Sequence, residues 1–190
     1  MTRRIKKIGG VGGAIVLVLA AGYSALFHSI PVGDVYPNPE LTPGAADTLD
    51  VGDLNRRYDG KTYSQSHRKV SEFTKRQVYK NAGVPYPQKP GRYEVDHFWP
   101  LCAGGSNDIK NLWLEGSMVR FKGKDYGFHQ KDLLEALICR KIRDGSISSE
   151  ELRSLFERFV IDWVRLYEEM GLGEEDKELK KLGMVPGLVE

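Results

Sequence analysis

The sequence predicts a small α+β domain, a hairpin packed against a helix with further flanking helices, preceded by an N-terminal transmembrane helix or signal segment. Three observations predict it. Residues 8–27 contain no charged residue. A short stretch rich in aromatic and β-branched residues, 93–101, and a returning apolar one, 111–114, flank a Gly-Gly turn signal. Residues 129–143 and 148–170 repeat apolar residues at helical spacing. The composition is that of an ordinary globular chain: 190 residues, 28 Lys+Arg against 26 Asp+Glu and a net charge of +2. That balance excludes an acidic disordered tail protein and a histone-like polycation. Two cysteines exclude a disulfide-dense mini-protein and a Cys₄ zinc site.

Arg3, Arg4, Lys6 and Lys7 form a basic flank, 1–7, ahead of the apolar segment 8–27. Its length corresponds to about 30 Å of helix, the thickness of a bilayer's hydrocarbon core. The expectation is a membrane anchor with the domain on the non-cytoplasmic (periplasmic or extracellular) side, or a secreted domain if the segment is a cleaved signal. Residues 28–52, with four prolines, read as an extended linker. The domain is expected over 53–170 and a polar tail over 171–190.

Within the domain, Val70, Phe73, Val78 and Ala82 predict a helix over 66–82, stopped by Gly83 and Pro85. Tyr93–Leu101 and Asn111–Leu114 predict the two arms of the hairpin. Leu133, Leu134, Leu137, Ile138 and Ile142 give the next helix its apolar side. Ser148 and Glu151 form a capping box ahead of the stripe Leu152, Leu155, Phe159, Trp163 and Leu166. Charge is sorted along the chain, with a net of +7 over 51–93 and −4 over 131–190. A basic face beside a near-neutral scaffold suits a binder of phosphate backbone, since neutralised phosphates release counterions. A solvated helix face or a face for anionic lipid headgroups has the same composition.

The residues that carry chemistry lie in Tyr93-Glu-Val-Asp96-His97-Phe-Trp-Pro100-Leu101-Cys-Ala-Gly104-Gly105-Ser-Asn-Asp108-Ile-Lys-Asn111-Leu112-Trp113. An Asp-His pair at a strand end, an Asn fourteen residues later and a polar helix start (His129, Lys131, Asp132) can meet at one point. This set suits metal-assisted hydrolysis of a phosphodiester. A carboxylate and a helix residue hold a divalent cation, and a neutral imidazole takes a proton from water. The Asn amide would hold the loop.

At these residues the sequence resembles the HNH endonuclease superfamily. It looks most like small bacterial and phage HNH-like proteins that carry VDHxxPLxxGGSNDxxNLW followed by KDxLE, here Lys131–Glu135, and DWVxxY, here Asp162–Tyr167. The resemblance covers roughly residues 37–170. It implies a ββα-metal core and a metal-dependent endonuclease acting on DNA. His97 would be the general base, Asp96 a metal ligand and Asn111 the loop-fixing residue. The second ligand departs from the family's spacing, whose helix position falls on Arg120, a residue unable to bind a cation. His129 is expected to take that place, with Asp132 as the alternative. The ion is expected to be Mg²⁺, with Mn²⁺, Ni²⁺ or Zn²⁺ as other options. Arg68, Lys69, Lys75, Arg76 and Lys131 are expected to contact the backbone of DNA, with little sequence preference. Cys102 and Cys139 are either bonded, as a non-cytosolic location permits, or two buried thiols. The rival reading is a membrane-tethered binding or exclusion protein that keeps the scaffold without chemistry.

Overall fold

Local capping starts most of the helices. A computed structural model of the protein describes residues 34–174. Helix α1 (Val51–Asn55) is capped by the Asp50 carboxylate, which accepts from the Asp53 amide. Helix α2 (Tyr63–His67) opens on a Thr62/Gln65 capping box, and α3 (Glu72–Asn81) on Ser71. The single helix expected over 66–82 is thus two. Ser71 accepts from the Thr74 amide with extended backbone, a role serine fills better than a mid-helix position.

Strand β1 (Tyr93–His97) pairs antiparallel with β2 (Leu112–Gly116), in a register that sets Glu94 against Glu115, Asp96 against Trp113 and His97 against Leu112. Residues 98–111 between them are no tight turn. They contain two single 3₁₀ turns, Leu101–Ala103 and Ile109–Asn111. Gly104 ends the first with a left-handed φ of 88°, and a side chain there would meet the Thr48 carbonyl at 1.9 Å. A second small hairpin, β3 (Val119–Phe121) and β4 (Lys124–Tyr126), turns through Lys122 and Gly123, both at positive φ. The sequence reading assigned no structure here, because its strands have only three residues each and its turn lacks the usual Asn-Gly or Asp-Gly pair.

Helix α4 (Phe128–Arg143) and helix α5 (Ser149–Glu169) complete the domain, the latter opening on the Ser148/Glu151 capping box. Helix α5 is kinked at Asp162, whose φ and ψ are −157° and 80°. The Asp162 carboxylate accepts from the Arg165 amide, capping a new helical start, and from the Tyr36 hydroxyl. The main core gathers Trp99, Leu134, Ile138, Leu152, Phe159 and Trp163, all with no exposed surface. Residues of the stretch read as a linker lie against it. Val35 is buried in the core and accepts from the Trp163 indole, while Ala46 bridges to Gly105. A disulfide joins Cys102 in the first 3₁₀ turn to Cys139 in α4.

One expectation needs correction. Among the described residues no helix is long and apolar enough to cross a membrane, so the transmembrane element of the fold, the membrane as a partner and the membrane-anchored location find no support there and are not carried further. The longest described helix, α5, is amphipathic, with Arg153, Arg158 and Arg165 on its exposed side. The segment 8–27 on which the expectation rested lies outside the described residues.

Candidate metal centre

The β1–β2 hairpin is sandwiched. On one face Val95, Leu112 and Leu114 pack against Val78 and Tyr79 of α3. Strand periodicity places Glu94 and Asp96 on the other face, and the register adds Glu115 opposite Glu94. One oxygen from each of these three carboxylates lies within 4.8 Å of the others. Like charges directly opposite one another on a sheet destabilise it. The compensating charge comes from α4. Lys131, with no exposed surface, ion-pairs with Asp96 and Glu135, and its Nζ is 3.3 Å from Glu115 Oε2.

One ammonium among this many carboxylates leaves the cluster short of positive charge. Burial pushes Glu94 up to about 7, reinforced by Asp96 and Asp132. Burial likewise raises Glu135 to about 8, against the pull of Lys131. Glu115, 1% exposed, is pushed well above the usual carboxylate range by its desolvation. For Asp96, burial acts upward, but the Lys131 ammonium wins and holds the carboxyl below its ordinary value. Lys131 itself is held well above its ordinary value, since its three carboxylate partners outweigh desolvation. Among the described residues, neither Glu115 oxygen accepts a hydrogen bond. A buried carboxylate that accepts no hydrogen bond, beside two others, is a hard-oxygen donor set, and it fits a divalent cation. Glu94, Asp96 and Glu115 could therefore hold a metal ion.

His97 ends β1 and, as the neighbour of Asp96, leaves the strand on the opposite face. Its Nε2 lies 3.2 Å from Asn107 Oδ1. The Asn107 amide nitrogen donates to the His67 carbonyl at 2.6 Å, so its oxygen is the atom that faces His97. An oxygen can only accept, so Nε2 carries the proton and Nδ1 is the basic nitrogen. Burial holds His97 below the usual histidine range, with Arg68 and Lys131 adding to the effect, so the ring is neutral at neutral pH. Asn111, with no exposed surface, pins the loop behind it. Its oxygen accepts from the Trp99 and Ala45 amides at 2.9 and 3.2 Å, and its nitrogen donates to the Trp99 and Ser106 carbonyls at 3.0 Å each.

The other expected residues are more scattered. Asp132 is half-buried, its carboxyl raised by desolvation and by Asp96. His129 is exposed in the first turn of α4, edge-on to Phe128, and is not among the three converging ligands. Arg120 pairs with Asp125 across the second hairpin. Arg68, Lys69, Lys75 and Arg76 are exposed, Arg76 paired with Glu72. Lys131, expected on phosphate, is instead wholly enclosed among carboxylates. That contact is gone, and exposed basic side chains alone do not show DNA as a partner among the described residues, so that expectation is corrected.

The sequence reading missed Glu94, Glu115 and Asn107. The alternation Glu94-Val95-Asp96 was a usable signal, since period two puts both acids on one strand face. Glu115 required the register, and Asn107 was read as part of the turn. What emerges is a small α+β domain with a hairpin, helices, an acidic cluster and a disulfide, consistent with a ββα-metal-like fold. Comparison of the chain with protein-family models, curated proteins and solved structures finds no match.

Proposed function

We propose that this domain is a metal-dependent phosphodiester hydrolase of the HNH type, an endonuclease with His97 as its general base. The observation that carries the reading is the placement of His97, its ring oriented through Asn107 and adjacent in the chain to Asp96 of the acidic cluster. Asp96, with Glu94 and Glu115, would hold the ion; Asp132 of α4, within electrostatic reach of Asp96, is a further candidate ligand, as is His129 in the same helix's first turn. When bound, a divalent cation supplies Lewis acidity toward a phosphoryl oxygen. His97 accepts the proton of the attacking water at Nδ1, while Nε2–H stays on Asn107 Oδ1 and keeps the ring from rotating. Because Asp96 and His97 leave β1 on opposite faces, the scissile phosphate has to lie across the end of the strand to meet both. Arg68 acts on His97 electrostatically.

The test is nicking of a supercoiled plasmid in Mg²⁺ or Mn²⁺ by the wild type and by His97→Ala. Loss of a general base is expected to slow cleavage by roughly 10²- to 10⁴-fold. A wild-type protein that nicks with neither ion would overturn the reading. A second reading, a binding protein on the same scaffold without chemistry, is favoured by one feature: the Lys131 ammonium already sits on Asp96 and near Glu115.

A further inference from the structure

The acidic cluster contains a cation of its own. Lys131 extends from α4 into the hairpin face and has no exposed surface. Its ammonium contacts Asp96 and stands 3.3 Å from Glu115, two of the three carboxylates that converge as a ligand group. Its third partner, Glu135, lies one helical turn further along α4 and is not part of that group. Glu115 points its buried oxygens into the same space, and among the described residues neither accepts a hydrogen bond. The Glu115 carboxylate is thus held by charge, its 3.3 Å approach to the Lys131 ammonium not being aligned as a hydrogen bond.

These positions impose a competition. A hard divalent ion draws its oxygen ligands to about 2.0–2.6 Å. To take both Asp96 and Glu115, it must enter the space their oxygens now share with the Lys131 ammonium. Two cations so close, in surroundings of low polarity, repel strongly. The ammonium has somewhere to go. Glu135 is spaced i,i+4 from Lys131, so the side chain can release the hairpin carboxylates and keep one ion pair on its own helix.

We propose that Lys131 is a resident cation of the metal centre. It holds the carboxylates of the hairpin in place in the ion-free protein, and moves to Glu135 alone when a divalent ion is bound. The inference rests on the metal-binding reading above and adds to it a tethered competitor that weakens ion affinity. Lys131 is a positioning residue here and touches no reacting atom.

Two measurements on the full chain test it. In the first, Mn²⁺ is titrated by calorimetry into the wild type and into Lys131→Met, whose side chain is of similar length and uncharged. Removing the competitor is expected to tighten Mn²⁺ binding by roughly tenfold or more. The variant is also expected to gain more in melting temperature from Mn²⁺ than the wild type gains. If Lys131→Met folds only when Mn²⁺ is present, the ion has taken the ammonium's place, which supports the proposal. A variant that stays unfolded at saturating Mn²⁺ counts against it. In the second measurement, the ¹⁵Nζ resonance of Lys131 is followed in the wild type, where a buried ammonium exchanges slowly with water. Saturating Mg²⁺ is expected to shift that resonance and speed its exchange. An ammonium unmoved by Mg²⁺, or equal or weaker Mn²⁺ affinity in the variant, overturns the proposal and leaves the metal site standing. Absence of binding by either protein overturns both.

Discussion

Replacing Asn111 with Ala removes four hydrogen bonds at once. Its carboxamide takes up the Trp99 and Ala45 amides and the Trp99 and Ser106 carbonyls, at 2.9–3.2 Å, and has no exposed surface. Each such bond contributes a net ~1 kcal/mol, so the four together suggest a loss of about 4 kcal/mol. Water cannot readily repair the damage, since Trp99 has no exposed surface either. In a domain of this size such a loss lowers the melting temperature by roughly 10–20 °C. Asn111→Asp is the sharper probe. It keeps the oxygen that accepts from the Trp99 and Ala45 amides but turns a second carboxylate oxygen toward the Trp99 and Ser106 carbonyls, and is expected to be at least as unstable as Asn111→Ala. Urea unfolding followed by tryptophan fluorescence measures both, at constant slope against denaturant. Either variant remaining within about 1 kcal/mol of the wild type would refute the claim that this amide pins the 98–111 loop.

Further outcomes follow from the same structure. Reducing the Cys102–Cys139 bond, or replacing both cysteines with Ser, opens a loop of sequence separation 37 and should cost roughly 3–4 kcal/mol by chain entropy, read from the urea midpoint. Asn107→Ala frees the His97 ring. Long-range ¹⁵N spectra should then change from a pure Nε2–H tautomer to a mixture, and cleavage should fall by roughly a hundredfold. A wild-type spectrum showing Nδ1–H would refute the assignment. The metal-free protein should also respond to pH through Glu94. Its carboxyl is raised from 4.5 to about 7, so the folded state binds more protons than the unfolded state across that window, and stability falls as pH rises through it. His97, held low, acts in the opposite sense below 6.5. Glu94→Gln isolates the carboxylate: its melting temperature relative to the wild type should rise between pH 5 and pH 7.

What the sequence made legible was local. The Ser148/Glu151 capping box, the two hairpin arms and the apolar side of α4 are each written within a few neighbouring residues, and each forms, though the first arm ends at His97 instead of Leu101 and the second runs on to Gly116. What it hid depends on partners far away in the chain. Asp162 reads as one more polar position in a long amphipathic helix. It becomes a kink only because Tyr36, 126 residues earlier, reaches its carboxylate while the Arg165 amide does the same. Lys131 reads as a surface cation, since a lysine is rarely enclosed without paired charge. Its burial follows from two facts on other elements: the alternation that puts Glu94 and Asp96 on one strand face, and the register that sets Glu115 opposite Glu94. Three carboxylates on one buried face cannot stand without a counter-charge, and α4 supplies one. The expectation looked for a second ligand on α4, at His129 or Asp132, whereas the hairpin already brings three carboxylates together by itself. The contribution of α4 to that face is a cation, which makes the balance between Lys131 and a divalent ion the property on which the chemistry of this centre turns.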